Sequence, residues 1–332
     1  IKNADTSSAK AARLIQADFR LAMSGTPIEN HIRELFSQFE FLNPNILGSS
    51  GLATFLTRGG ELSPEDLETI RRALHPYILR RTKEEVATEL PPKTEQVIYC
   101  PLSPEQEGLY TELKEYYRQE LLKQKQDAKK AGGRNKIDML EALLRLRQAA
   151  CHPGMINDKY LAIQSGKLEL VVGRIQELIE ENHKVLVFSQ FTTFLGLVRS
   201  RLASAGIGFC YLDGQTADRQ EEVRTFQESP ERAAFLISLK AGGVGLNLTA
   251  ADYVFLLDPW WNPAAEAQAI DRAYRIGQTH HVFAYRFISQ GTVEEKVLFM
   301  QMKKRDIANA VISANTSFIA NIDAQDLEFL LQ

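Results

Sequence analysis

Cysteine is scarce in this chain of 332 residues: there are three, Cys100, Cys151 and Cys210. They lie far apart and form no CxxC pair, which argues against a disulfide framework or a zinc site and for a reducing compartment. Long apolar runs are missing as well. None reaches the roughly 18–20 residues of a membrane-spanning helix, and the opening IKNADTSSAK has neither the layout of a secretory signal nor an initiator methionine. An excess of positive charge is also absent. Lys and Arg number 39 against 42 Asp and Glu, a net charge of −3, so contact with a polyanion has to come from a local patch. No internal repeat is visible. Tryptophan is limited to two residues, and both are adjacent: Trp260 and Trp261, between Pro259 and Pro263.

What is present predicts more than one core, because 332 residues exceed a typical single domain. Residues 19–30, FRLAMSGTPIEN, read as a short strand and a turn, and helical periodicity follows through Leu42. Residues 45–86 read as helical and irregular, with a helix over 64–74. The stretch LPPKTEQVIYC is an extended connector into a strand, and Ser103 opens a helix. Residues 104–126 and 137–150 read as helices around the polar loop DAKKAGGRNK. From residue 166 the pattern becomes strict. Near-continuous apolar strands alternate with amphipathic helices through residue 312, the signature of a parallel sheet covered on both faces. The expectation is an α/β fold with one doubly wound domain over 166–312 and a last short helix in the tail 313–332.

In such a sheet ligands meet the loops at the carboxyl ends of the strands. Here those loops are Ser189-Gln190-Phe191, Asp213-Gly214-Gln215-Thr216, Lys240 through Asn247 with three glycines, and Pro259-Trp260-Trp261. One polar, glycine-rich loop is ordinary; four in register point to a functional rim. Glycines 242, 243 and 245 permit close backbone approach to a ligand, although Gly-Gly is also common punctuation. On the following helix, Gln268, Asp271, Arg272 and Arg275 fall at i, i+3, i+4 and i+7 and share one face. That face is either a solvated stripe with Asp271 paired locally or a rigid support for guanidinium groups that suit phosphate oxygens. Of the two tryptophans, one is expected buried and one at the rim, placed to pack on a nucleic-acid sugar or base. Residues 118–147 hold nine basic residues (Arg118, Lys123, Lys125, Lys129, Lys130, Arg134, Lys136, Arg145, Arg147) against four acids, either a solvated helical hairpin or a phosphate-contacting patch.

Taken in order, MSGTPIEN, VLVFSQFT, LDGQT, LISLKAGGVGLNLTAADYVFLLDPWWNP and QAIDRAYRIGQ resemble the motifs of the Swi/Snf-type ATPases of helicase superfamily two. LRRTKEEVATELPPKTE and LRLRQAACHPGMI are similar to that family too, so the likeness covers nearly the whole chain. The resemblance implies two RecA-like lobes with ATP and Mg2+ between them, moving on double-stranded DNA without unwinding it. Carried over residue by residue, it implies that Ser24, Gly25 and Thr26 couple nucleotide to DNA at the end of lobe one. It implies that Gln190, Lys240, Gly242, Trp260 and Trp261 face DNA. Gly245, Asn247 and Gln268 approach the nucleotide, and Arg272 and Arg275 reach the γ-phosphate as the catalytic arginines. It further implies a monomeric DNA-bound machine acting on DNA-bound proteins, without membrane contact, in the nucleoid of a prokaryote or the nucleus of a eukaryote.

Two departures stand out. Tyr274 occupies a position where many members carry histidine. No GxxxxGK[ST] and no Asp-Glu box exist in the chain, and SGKL at 165–168 lacks the earlier glycine and the hydroxyl. The family places that box just before an IKN-like segment, and this chain opens with IKN. The expectation is therefore a fragment: residues 1–44 as the end of a RecA-like lobe one, 45–93 a helical protrusion and linker, 94–165 the first strand of lobe two and a helical insertion, 166–312 lobe two. ATP and Mg2+ would be held mainly by the missing part of lobe one, and the fragment alone would not hydrolyse ATP. Two other readings stay open: a non-catalytic nucleic-acid-binding scaffold and a strand-separating helicase.

Overall fold

The computed structural model describes residues 1, 3–23, 32–44, 72, 74–79, 81, 83–127, 134–241 and 245–311. Ser24, Gly25, Thr26, Gly242, Lys129, Lys130, most of the expected 64–74 helix and the tail lie outside them. The chain divides into two compact units: Ile1–Thr82 with Met300–Ile322, and Lys83–Phe299 with Asp323–Gln332.

In the smaller unit, helix α1 (Ser7–Arg13) is capped by Thr6, whose side chain accepts from the Ala9 N–H, and helix α2 spans Ile32–Leu42. Arg13 Nη2 donates to Ser37 Oγ at 3.0 Å, and Arg20 donates to the Phe41 and Ile15 carbonyls at 2.8 Å each. The strand expected at 19–23 is not formed. Phe19, Leu21 and Met23 are exposed, and among the described residues before Lys93 there is no strand to pair with. A strand exists through its ladder, so an alternating pattern alone does not make one.

The larger unit opens with helix α3 (Lys83–Val86) and strand β1 (Lys93–Cys100). Helices α4 (Pro104–Asp127) and α5 (Arg134–Cys151) follow, then α6 (Gly166–Glu180), β2 (Val185–Ser189), α7 (Thr192–Ser204) and β3 (Phe209–Leu212). The remainder is α8 (Arg219–Glu228), β4 (Ala234–Ser238), β5 (Tyr253–Leu256), α9 (Pro263–Ile270), β6 (Val282–Ser289) and the start of α10 (Val293–Val311), whose residues from Met300 on belong to the smaller unit. The strands form one six-stranded sheet, order β1-β6-β5-β2-β4-β3, with every pair parallel. The expected parallel α/β domain is thus present, and β1 joins it at the β6 edge.

The sheet is buried on both faces because successive side chains alternate. Val185 and Val187 enter one core with Leu168, Val171 and Ile175 of α6 and Phe194, Val198 and Leu202 of α7. Leu186 and Phe188 enter the other with Phe226 of α8 and Ala269 and Ile270 of α9. Each such large apolar side chain contributes about 1.5–3 kcal/mol on burial. Helix starts are specified locally: Ser165 caps α6, Asp218 caps α8, and Asn262 caps α9 with Pro263 behind it. A Cβ at Gly166 would meet the Pro101 carbonyl oxygen at 1.9 Å, so only glycine fits where α6 passes the end of β1. Strands β2 and β5 are neighbours, yet α7 after β2 and α9 after β5 cover opposite faces. The strands stay paired to Phe188 and Leu256, and the chains leaving them turn to opposite faces; in doubly wound folds such a switch point marks the ligand-binding crevice.

Candidate functional site: a strand-end rim and an arginine turn

Asp258, just beyond β5, sits at that crevice and is fully buried. Its Oδ1 accepts from the Ser189 hydroxyl and from the Gln190 N–H at 3.2 Å. Its Oδ2 faces Arg147 Nη2 of α5 at 3.4 Å, and the same nitrogen donates to the Pro259 carbonyl. The Arg147 guanidinium lies 5.0 Å from the Trp261 ring and 5.5 Å from the Phe191 ring, so both rim loops close on it. Burial pushes the Asp258 carboxyl up to about 6, with Arg147 and the Ser189 hydrogen bond pulling the other way. Behind it, Lys167 Nζ meets Glu294 Oε2 at 2.5 Å and donates to the Leu257 carbonyl at 2.8 Å. Glu294 also accepts from the Ser289 N–H at 2.8 Å, and Ser289 Oγ donates to the Ala150 carbonyl at 2.7 Å. Burial alone would lower the Lys167 pKa and is the largest single influence; Glu294, Cys151 and Cys100 together outweigh it, and the net shift is upward. One dry network thus ties α5, α6 and α10 to the ends of β2, β5 and β6.

This corrects part of the basic-patch expectation. Arg147 is 1 % exposed and is spent inside the unit. Arg145 lies 4.0 Å from Glu141, and Arg118 lies 3.6 Å from Glu115. Lys129 and Lys130 lie outside the described residues.

The tryptophans also depart from expectation: both are half-buried. The strand ends at Leu256, so the rule that neighbouring side chains point to opposite faces no longer applies to them. The Trp260 N–H donates to Glu266 Oε1 at 2.8 Å, and Glu266 Oε2 accepts from Arg286 Nε at 2.9 Å, which locks the loop to α9 and β6. Gln190 stands at the same crevice, its Nε2 buried with no partner among the described residues. Lys240 is exposed, two residues past β4, where the Leu239 N–H donates to the Ser189 carbonyl at 2.9 Å. The Asp213 loop is closed on itself by Asp213, Gln215 and Thr216.

The arginine stripe is not helical throughout. Helix α9 stops at Ile270. Beyond it the Arg272 N–H donates to the Ala269 carbonyl, the Ala273 N–H to Ile270 and the Gln278 N–H to Arg275, all tighter turns than an α-helix makes. Tertiary contacts end the helix. The Arg272 carbonyl accepts from the Leu248 N–H at 3.0 Å. Buried Gln278 donates to the Ala251, Thr249 and Ala273 carbonyls and accepts from the Thr279 and His280 amides, next to Gly277 at φ 101°. Asp271 pairs with Lys83 at 2.7 Å rather than locally. Arg275 is exposed, its Nη1 3.5 Å from both the Gly245 and Leu246 carbonyls, and Asn247 lies beside them, exposed. Arg272 is half-buried, with Nε lacking a partner among the described residues; burial, then the Arg275 charge, lower its pKa. Gln268 is half-buried one turn earlier on α9.

The turn therefore gathers Gly245, Asn247, Arg272 and Arg275. It offers forked cationic donors, one of them dry and unpaired, which fits a nucleotide phosphate. Among the described residues no group of three His, Cys, Asp or Glu side chains could hold a metal by itself.

Comparison with known proteins places the chain in a family. The SNF2-related domain family matches residues 1–155, and the helicase conserved C-terminal domain family matches residues 167–277. The structure of the Sulfolobus solfataricus SWI2/SNF2 ATPase core in complex with dsDNA matches 99% of this chain and 70% of that chain, at 32% identity and a TM-score of 0.60. The chain belongs to the SWI2/SNF2 ATPase family. Its six-stranded parallel sheet is accordingly RecA-like. An uncharacterized ATP-dependent helicase of Mycoplasma genitalium is 35% identical over 98% of this chain and 31% of its own length. The human SWI/SNF-related matrix-associated actin-dependent regulator of chromatin subfamily A member 1 is 33% identical over 90% of this chain and 29% of its own. The chain thus spans about a third of the length of these curated relatives.

Proposed function

We propose that this chain belongs to an ATP-dependent double-stranded DNA translocase that remodels or displaces DNA-bound proteins. The observation that carries the reading is the arginine turn: Arg272 with a dry, unpartnered Nε and exposed Arg275, both fastened beside the loop at Gly245. ATP, when bound, supplies the phosphoryl group whose charge grows as it transfers; two guanidinium forks meet that charge better in the transition state than in the ground state. The rim of Gln190, Lys240, Trp260 and Trp261 gives a DNA strand amide, cationic and aromatic partners on a platform held by Arg147 and Asp258.

A strand-separating helicase and a scaffold without turnover are separated from this reading by experiment. The assay is steady-state ATPase on a protein that joins this chain to a phosphate-loop lobe, with duplex or single-stranded DNA, alongside strand displacement. Duplex-stimulated hydrolysis without displacement is the expected result. Strand separation sinks the translocase reading, and absence of any hydrolysis leaves the scaffold. The 332-residue chain by itself, with no GxxxxGK[ST], is expected to show no turnover.

A further inference from the structure

The arginine turn is gripped by the segment that opens the larger unit. Lys83, the first residue of that unit, donates to the Tyr274 carbonyl at 2.7 Å, and its ammonium lies 2.7 Å from Asp271 Oδ1. The same ammonium is 5.8 Å from the centre of the Tyr274 ring, and Lys93 faces that ring at 5.2 Å. Leu90, between the two lysines, packs on the core cluster that contains Tyr274. Asp271 and Tyr274 bracket Arg272, and Tyr274 directly precedes Arg275. The grip therefore falls on both sides of the first arginine, past the end of α9, where tighter turns are mixed with one remaining α-type bond from the Tyr274 N–H to the Ile270 carbonyl at 3.0 Å.

The aromatic at 274 suits this arrangement chemically. A neutral, electron-rich ring attracts two ammonium groups at once. A histidine there, once protonated, would add a third positive charge beside Lys83 and Lys93, with Arg272 and Arg275 adjacent. Asp271, paired with Lys83, and Glu95, shared between Lys93 at 3.1 Å and Arg286 at 2.8 Å, would partly offset it.

We infer that Lys83, seconded by Lys93, is a positioning residue for the catalytic turn: it sets the attitude of Arg272 and Arg275 through Asp271 and the ring and carbonyl of Tyr274, and touches no nucleotide itself. Its effect on turnover rests on the proposed function; its grip on the turn does not.

Two readouts test it. In the 332-residue chain, backbone hydrogen exchange over residues 271–278 is expected to speed up about tenfold in Lys83→Met, which removes a charged hydrogen bond worth on the order of tenfold in local opening. Lys83→Arg restores protection and Tyr274→Phe keeps it. Tyr274→His protects the turn above about pH 7 and loses protection, after correction for intrinsic exchange, as the imidazole gains its proton. In the ATPase-competent protein, Lys83→Met lowers kcat about tenfold with KM for ATP little changed, and Lys83→Arg recovers it. Unchanged exchange in Lys83→Met overturns the clamp. Faster exchange with full kcat, while Arg272→Ala abolishes turnover, overturns the positioning role. If neither arginine matters to turnover, the proposed function falls, and the exchange data still decide the clamp.

Discussion

The strand-end rim and the arginine turn belong to one unit and are held by opposite kinds of interaction. Around the rim, the pairs Arg147–Asp258 and Lys167–Glu294 have side chains at most 1 % exposed. At the turn, the ion pair Lys83–Asp271 is 36 % and 44 % exposed, and among the described residues Arg275 hydrogen-bonds only to carbonyls, at 3.5 Å. A buried pair is costly to part, because each ion left behind has no water to solvate it. An exposed pair parts easily, because water replaces the partner. The rim is thereby built as a fixed platform and the turn as a part that can change its attitude at small cost. The proposed translocase needs both: a surface that keeps its shape against DNA, and an arginine group that engages phosphate only in one state of the cycle.

The largest expected effect lies at the turn. In the ATPase-competent protein, Arg272→Ala or Arg275→Ala lowers turnover by about 10³–10⁵, the range of an arginine finger. DNA affinity and thermal melting stay near normal, and Arg→Lys rescues little because a point charge lacks the fork. Near-full turnover in both alanine variants leaves the turn a solvated loop and removes its half of the contrast.

Next in size is the platform. Parting a buried pair by deleting one partner costs about 3–5 kcal/mol, and the two deletions are expected to differ. Left alone by Arg147→Met, Asp258 escapes its buried charge by taking a proton, since burial already holds it at about 6. Left alone by Asp258→Ala, Arg147 has no such escape. Urea melts therefore rank Asp258→Ala as the more damaging change, with Trp261 fluorescence shifting in both. Equal or negligible costs show that the rim is not held by this network.

Much of the fold is legible in the residues, and the reasons some of it is not are physical. The runs VLVF, AFLIS and YVFLL announce parallel strands because a sheet buried on both faces wants apolar residues at every position. The four rim loops follow from where strands end. Arg147 and Lys167 read as ordinary surface cations, because their partners Asp258 and Glu294 lie 111 and 127 residues away in sequence. The early end of α9 is hidden for the same reason. Ala, Arg and Tyr after Ile270 carry no local stop signal before Gly277, and the stop comes from Leu248, Lys83 and the buried Gln278 side chain. Phe19, Leu21 and Met23 mislead in the other direction: their alternation is real, but a strand needs a neighbour.

A smaller effect sharpens the platform by pH. Asp258 is held at about 6 in the folded chain, above the usual value near 3.9 of an unfolded aspartate. Between those values the folded state binds a proton that the unfolded state does not. The stabilising contribution of this group is therefore full below about pH 4 and is lost as pH rises through about 6. Asp258→Asn removes the titration. The stability of the native chain relative to Asp258→Asn is expected to fall by about 2–3 kcal/mol between pH 4 and 6.5. A difference that is flat with pH means Asp258 stays ionised beside Arg147 across that range.

The smallest effect tests the turn as the movable part. Lys83→Met, which also loses the bond to the Tyr274 carbonyl, is expected to lower global stability by about 1–1.5 kcal/mol and Asp271→Asn by less than about 1 kcal/mol, with a coupling of roughly 0.2–1 kcal/mol in a double-mutant cycle. The coupling shrinks in 0.5 M salt, because both side chains see solvent and the screening length there is only about 4 Å. The Arg147–Asp258 pair, run through the same cycle, keeps its coupling in salt. The contrast is decisive because the two pairs share chemistry and differ in water. A salt-insensitive coupling of about 3 kcal/mol or more at Lys83–Asp271 would make the turn as rigid as the platform. The arginines would then be set once by folding, and the change of attitude that catalysis needs would have to come from elsewhere in the machine.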